Sequence, residues 1–162
     1  MGQPVPFTVE VPQEKLGAIR RRVEEYPWET LDDLGDWRSG PPVGYVRRVA
    51  DHWLSSYDWR AAERELNRFA HFMVGVEGDL ELHYVHERGS GSNQDAVVLI
   101  HGWPSSVYDF WEIIEPLAHP ERFGGDAGEG VDVVVPSVAG YGWSGKPRGR
   151  RGAAGKPRRS IR

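Results

Sequence analysis

In His101-Gly102-Trp103-Pro104, a histidine, a glycine, an aromatic and a proline follow the apolar run Val97-Val98-Leu99-Ile100 without a break. A backbone amide that leaves the end of a strand in this way can donate to a developing negative charge. The tetrapeptide therefore reads as half of an oxyanion hole, with the donor on the Trp103 N–H and not on its indole. Gly102 permits the tight turn, and Pro104 sets its own φ while bringing no amide. A plain strand-to-helix turn would use the same residues. The position between a strand buried on both faces and a helix starting at Ser105 or Ser106 favours the chemical reading.

Tyr141 and Trp143 fall on a second loop at a strand end, where ligands of open α/β sheets bind, and are candidate substrate contacts together with His101, Gly102 and Pro104. Gly140-Tyr141-Gly142-Trp143-Ser144-Gly145 spells the dinucleotide fingerprint. That fingerprint needs a helix at its third glycine and an acid about 20 residues later, whereas Lys146-Pro147 and an acid-free tail follow here. Ser144 is not in a nucleophile elbow, because Lys146 takes the place of the last glycine. His83 and His86, three apart on a strand, point to opposite faces and read as partly exposed strand histidines. No metal site and no cofactor are expected.

The elements that must position these residues follow from periodicity. Leu16, Ile19, Val23 and Tyr26 make Gln13 to Glu25 an amphipathic helix with a basic outer face, ended by Pro27. Pro41-Pro42 opens a second helix with a stripe of Val46, Val49, Ala50, Trp53 and Tyr57. Asp58 caps a third, with Trp59, Ala62, Leu66 and Phe69 facing inward. From Phe72 the period drops to 2: two half-exposed strands with Leu80, Leu82 and Tyr84 on the apolar face form a hairpin about Gly78-Asp79. After the loop Gly89 to Asn93 come the strand at Val97, a helix from Ser106 to about His119 with Phe110, Ile113, Ile114 and Leu117 on the core side, and a buried strand at Val131 to Val135. Strand, helix and strand in that order make a βαβ crossover with a parallel pair. Trp53, Trp59 and Trp111 lie on helical stripes and read as core.

Size and composition fit an ordinary globular chain: 162 residues, 39% hydrophobic and 27% charged. Apolar runs of four or five residues fall far short of the ~20 that span a bilayer, and no signal-peptide layout opens the chain. The absence of cysteine rules out disulfides and thiolate metal sites and fits a cytoplasmic setting. The net charge of −4 hides a basic end: from Lys146 to Arg162 there are eight Lys/Arg and no acid. That end, rich in Gly, Pro and Arg and lacking aromatics, reads as a disordered tail and not as a nucleic-acid site.

From about Phe7 to Pro147 the chain resembles the epoxide hydrolases of the microsomal type. The resemblance is carried by Asp36-Trp37-Arg38-Ser39-Gly40-Pro41-Pro42, by Tyr57-Asp58-Trp59-Arg60 with Glu63, Leu66 and Asn67, and by Gly78-Asp79-Leu80-Glu81-Leu82-His83-Tyr84-Val85-His86. It continues through His101-Gly102-Trp103-Pro104-Ser105-Ser106 and the stretch Pro136 to Pro147. It implies an α/β-hydrolase core under a helical cap, wrapped by the N-terminal segment. It also implies an aspartate nucleophile on the elbow after the fifth strand, a histidine with a partner acid that activates water, and two cap tyrosines that hold the epoxide oxygen. Carried over residue by residue, only one role lands on this chain. It is the Trp103 amide, within the loop His101, Gly102 and Pro104, steadying the oxyanion of ester hydrolysis.

The expected fold class is therefore α/β: an N-terminal helical segment, then the first half of an α/β-hydrolase sheet, a β-hairpin plus one βαβ unit, incomplete. Residues 1–70 are expected to form the helical region, 71–147 the half core and 148–162 the basic tail. The change of composition after Pro147 reads as a frameshift or premature stop before the nucleophile. The expected product is inactive alone, with a small-molecule epoxide and a complementing C-terminal half as partners, and with neither nucleic acid nor membrane. A non-catalytic interaction module, or part of another α/β-hydrolase such as a haloalkane dehalogenase or esterase, are the alternatives. The strand at Val97 is expected to leave one sheet edge open, a site of association.

Overall fold

A computed structural model describes residues 2–33, 35–38, 40–76, 80–92 and 95–147. The expected turn at Gly78-Asp79, Ser39, Asn93 and the basic tail from residue 148 lie outside the described residues. The chain divides into two units: Val9–Glu65, and residues up to Thr8 together with those from Leu66 onward.

The first unit is helical: α1 (Gln13–Glu24), α2 (Val43–Ser56) and most of α3 (Trp59–Leu66). Asp58 caps α3 through the Arg60 N–H at 2.8 Å. Glu63 is buried and organises the unit. Its carboxylate accepts from the Val11 N–H at 2.6 Å and the Trp59 indole at 2.9 Å, and pairs with Arg60 at 2.5 Å. Burial alone would raise its pKa, but the Val11, Arg60 and Trp59 donors outweigh that cost and hold it below the usual carboxylate range. The α2 stripe differs from expectation. Val46, Val49, Trp53 and Tyr57 are all exposed, Val49 by 51%. With Ile19 and Val23 of α1 and Tyr26 just beyond it, the first three of these line an open apolar groove of about 510 Å³.

The second unit holds one five-stranded sheet, in the order β1-β2-β3-β5-β4. The strands are β1 (Val5–Phe7), β2 (His71–Val76), β3 (Leu80–Glu87), β4 (Ala96–Val98) and β5 (Asp132–Pro136). The hairpin and the βαβ crossover both form as expected: β2 runs antiparallel to β3, and β4 pairs parallel to β5 with Val97 opposite Val133. A fifth strand, β1, adds to β2 with Val5 opposite Met73. The sequence reading places no strand there, because three residues carry no period of their own. β4 is an edge strand, paired with β5 alone among the described strands, as the sequence implies.

Three faces depart from the sequence reading. The run from Val97 to Ile100 is not buried on both sides, since Val98 in β4 is 56% and Ile100 beyond it 65% exposed. Among the described residues this unit's helix after β4 is α4 (Trp111–Ala118), which buries Trp111, Ile114 and Ala118. On β3 the buried side chains are His83 and Val85, whereas Leu82 and Tyr84 are half-buried. His83 is thus fully buried and not partly exposed. On α4 the core face is Val107, Trp111, Ile114 and Ala118, with Phe110 and Leu117 beside it and Ile113 exposed. The helix starts as a 3₁₀ turn over Val107–Phe110, which winds three residues per turn and advances the phase of the stripe.

Backbone passes close to Gly130, two residues before β5. A Cβ on Gly130 would stand 2.4 Å from the Ala118 carbonyl oxygen and 2.8 Å from the Ser90 nitrogen. Gly130→Ala is expected to destabilise by about 1–3 kcal/mol, read as a lower urea midpoint at unchanged slope. A midpoint equal to the parent's would mean that this packing is not formed.

Candidate anion-binding loop

β4 and β5 run parallel, so the chain leaves both at the same end of the sheet, where two loops meet. The Leu99 N–H still bonds the Val134 carbonyl at 2.9 Å, which carries the ladder up to the first loop. His101 is buried there. Its Nε2 accepts from the Val138 N–H of the second loop at 3.0 Å, and its ring meets Tyr141 edge-on at 5.4 Å between centroids. Because an amide nitrogen can only donate here, Nε2 carries no proton. The proton of the neutral ring sits on Nδ1, 3.2 Å from the Gly102 carbonyl.

The turn closes through the Ser105 N–H to the Gly102 carbonyl at 2.9 Å, and the Trp103–Pro104 peptide is cis. Ser106 caps the 3₁₀ turn, accepting from the Tyr108 N–H at 3.3 Å, while the Ser105 hydroxyl donates to the Asp109 carboxylate. Ser106 is thus the cap, and Asp109 is held by Ser105. The Trp103 side chain is 83% exposed. Among the described residues no acceptor is found for the Trp103 N–H. What the loop offers chemically is a main-chain donor.

The second loop is built on Gly140 and Gly142, with φ of +87° and +52°. The Tyr141 N–H bonds Val138 O at 2.8 Å, Ser144 N–H bonds Tyr141 O at 3.0 Å, and Gly145 N–H reaches β3 at Glu81 O, 2.8 Å. These glycines serve successive turns, which accounts for the fingerprint-like spacing. The loop turns its two aromatics different ways. Tyr141 faces His101, whereas Trp143 packs on Phe7, His71 and His83 at 5.9, 6.2 and 5.0 Å between ring centroids.

Sequence reasoning missed the buried polar cluster beside Trp143: His71, His83, Ser137 and Ser144. The pairing of His71 with Val85 and of Met73 with His83 puts the two histidines diagonally on one face, a signal available only once the hairpin register is known. Burial, reinforced by the neighbouring His71, lowers the His83 pKa to about 4, and burial lowers that of His71 too. An unfolded histidine titrates near 6.5, so the unfolded chain takes up protons first as pH falls. Stability is therefore full above pH 6.5 and declines as pH drops toward 4, by about 3 kcal/mol from His83 alone. Urea midpoints at pH 7, 5.5 and 4 measure this. A midpoint level over that range would contradict it.

The aspartates after α4 are structural. Asp132 accepts from the Gly89 N–H and from His86, each at 2.9 Å; those two contacts lower its pKa, the Gly89 N–H more than His86. Asp126 caps a short turn through the Gly128 N–H at 2.8 Å. Neither stands on a strand-to-helix elbow. Among the described residues no group of three or more metal-ligating side chains exists, and no helix is long and apolar enough to cross a membrane.

A hairpin feeding a parallel βαβ unit, with an unpaired main-chain donor at the end of the first parallel strand, defines the opening half of an α/β-hydrolase sheet. The family model for the alpha/beta hydrolase fold matches residues 95–156. That for the epoxide hydrolase N terminus matches residues 4–110, and the chain belongs to this family. A Stigmatella aurantiaca protein, named provisionally as an epoxide hydrolase, is 37% identical over 88% of this chain and 32% of its own length. Epoxide hydrolase 1 of Sus scrofa is 29% identical over 86% of the chain and 31% of its own length. The Aspergillus niger epoxide hydrolase structure superposes with a TM-score of 0.77 at 29% identity, over 90% of this chain and 37% of that one. The chain spans about a third of the length of the relatives it matches.

Proposed function

We propose that this chain is the anion-binding third of an enzyme that opens small-molecule epoxides to vicinal diols through an aspartyl ester. In this reading the Trp103 N–H is the catalytic donor to the oxyanion formed as the ester is hydrolysed. His101, Gly102 and Pro104 shape the loop, and Tyr141, beside His101, lies nearest the bound molecule. Trp143 contacts substrate only on its edge turned away from the hairpin.

The observation that carries the reading is the unpaired Trp103 amide at the C-terminal end of β4, in a chain whose epoxide hydrolase match extends through the N-terminal helices. That extent supports an epoxide hydrolase over a dehalogenase or esterase. The attacking carboxylate must come from a polypeptide completing the sheet beyond β4, and no cofactor takes part. The absence of cysteine supports a cytoplasmic setting. Division into a helical region over 1–70, a half core over 71–147 and a basic tail over 148–162 belongs to the same proposal.

The test is diol formation from a simple aryl epoxide. The 162-residue chain alone is expected to form none. Fused to the part of the Aspergillus niger enzyme that it does not cover, it is expected to turn the epoxide over. Diol from the chain alone, or none from a folded fusion, would refute the proposal.

A further inference from the structure

The cluster of His71, His83, Ser137 and Ser144 lies outside the anion-binding loop, and its geometry fixes where each proton sits. The Leu66 carbonyl can only accept, so His71 Nε2, 2.7 Å away, carries a proton. Neutral His71 then accepts at Nδ1, and His83 Nε2 donates to it across 2.9 Å. His83 Nδ1 is left to accept from the Ser137 hydroxyl at 2.8 Å. Ser144 closes the cluster, donating to the Ser137 carbonyl at 2.7 Å and accepting from the His83 N–H at 2.9 Å.

Every proton runs one way, from Ser137 to His83 to His71 to Leu66. The next residue in the chain, Val138, donates its N–H to His101 Nε2. Consecutive residues are thus held by two different histidines, one reaching back to the hairpin and the other standing at the base of the anion-binding loop. Gly142 is folded so closely over this point that a Cβ on it would lie 2.8 Å from the Ser137 oxygen.

We infer that His83 is a positioning residue for the anion-binding loop, acting through the Ser137 hydroxyl and the Val138–His101 hydrogen bond. Fixing Ser137 to His83 fixes the peptide that joins it to Val138, and with it the direction of the Val138 N–H. That N–H holds the His101 ring, and the ring's other nitrogen faces the Gly102 carbonyl, whose peptide carries the Trp103 N–H. The functional meaning rests on the oxyanion reading of Trp103, whereas the tie itself rests on the hydrogen bonds alone. The groups facing His83 are His71 on β2, the rings of Phe7 and Trp143, and the two serines, so no charge opposes its neutral state at pH 7.

Long-range proton–nitrogen spectra of the 162-residue chain at pH 7 test this, with Val138 amide exchange and acetate as an anion probe followed at the Trp103 amide. His71 and His83 are expected protonated at Nε2 and His101 at Nδ1. In Ser137→Ala, Val138 exchange is expected to rise about tenfold and the acetate response of Trp103 to weaken. Unchanged Val138 exchange in folded Ser137→Ala overturns the inference, even if acetate still moves Trp103. Should that variant not fold, the parent decides: His83 protonated at Nδ1, or free-imidazole shifts for it, overturns the inference as well. Expected tautomers and Val138 response with no effect of acetate on the parent's Trp103 support the tie and overturn the oxyanion reading instead.

Discussion

Trp103→Pro in the fusion is expected to lower the rate of diol formation by roughly 10²–10³-fold, while Trp103→Phe retains most of it. Proline removes the one atom the reading needs, the amide hydrogen, and phenylalanine removes only the indole. The ring is 83% exposed here, and nothing in the chemistry calls on it. A donor aimed at an oxyanion acts where charge develops and not in the ground state, so the loss belongs in kcat with little change in substrate affinity. Because proline could also shift the loop, the comparison includes the His101 Nε2 to Val138 hydrogen bond. It should persist in Trp103→Pro, and its loss would assign the effect to misfolding of the loop.

The largest effect on stability is expected at Trp111. Its side chain is 2% exposed and packs edge-on against Phe69 at 5.0 Å, with Tyr108 stacked on it at 5.8 Å. It sits where α4 covers the sheet, in one cluster with Val85, Ile114, Val133 and Val135. Trp111→Ala removes the largest side chain of that cluster and leaves a cavity that rigid strand backbone cannot fill. About 3–5 kcal/mol should be lost, a large share of what a domain of this size holds. Urea unfolding at pH 7 reads it directly, and Trp111→Phe should recover part of the loss. A Trp111→Ala chain as stable as its parent would mean that α4 does not cover the sheet as described.

The order of elements was legible because periodicity changes sharply along the chain, from helical stripes before Leu66 to alternation after His71. Which face each element buries was less so. On β3, histidine counts as polar in any alternation. Yet His83 is buried at no apparent cost because Ser137 and His71 satisfy both ring nitrogens, so the buried face is the opposite of the one polarity implies. Nine of the twelve residues from Val107 to Ala118 are apolar or amphipathic, so the stripe could begin at several positions. The 3₁₀ entry, invisible in composition, selects the face of Trp111 and Ile114.

The turn at His101–Pro104 was legible for a different reason. Its signal is a local backbone device, a strand end followed by Gly102 and Pro104, which needs no distant contact to be recognised. What lay beyond reach was the second loop's grip on it. The bond from Val138 to His101 joins residues 37 apart, and no spacing rule anticipates it. The α2 stripe taught the converse: Val46, Val49 and Trp53 have the periodicity of a core face, and in this unit they line an open groove.

The Trp103 amide is held to act on the breakdown of the ester and not on its formation. Quenched single-turnover reactions of the fusion, with the covalent adduct followed by intact mass, separate the two steps. In Trp103→Pro the adduct is expected to form at the parent rate and then persist roughly 10²–10³ times longer. An adduct that disappears as fast as in the parent would contradict the account.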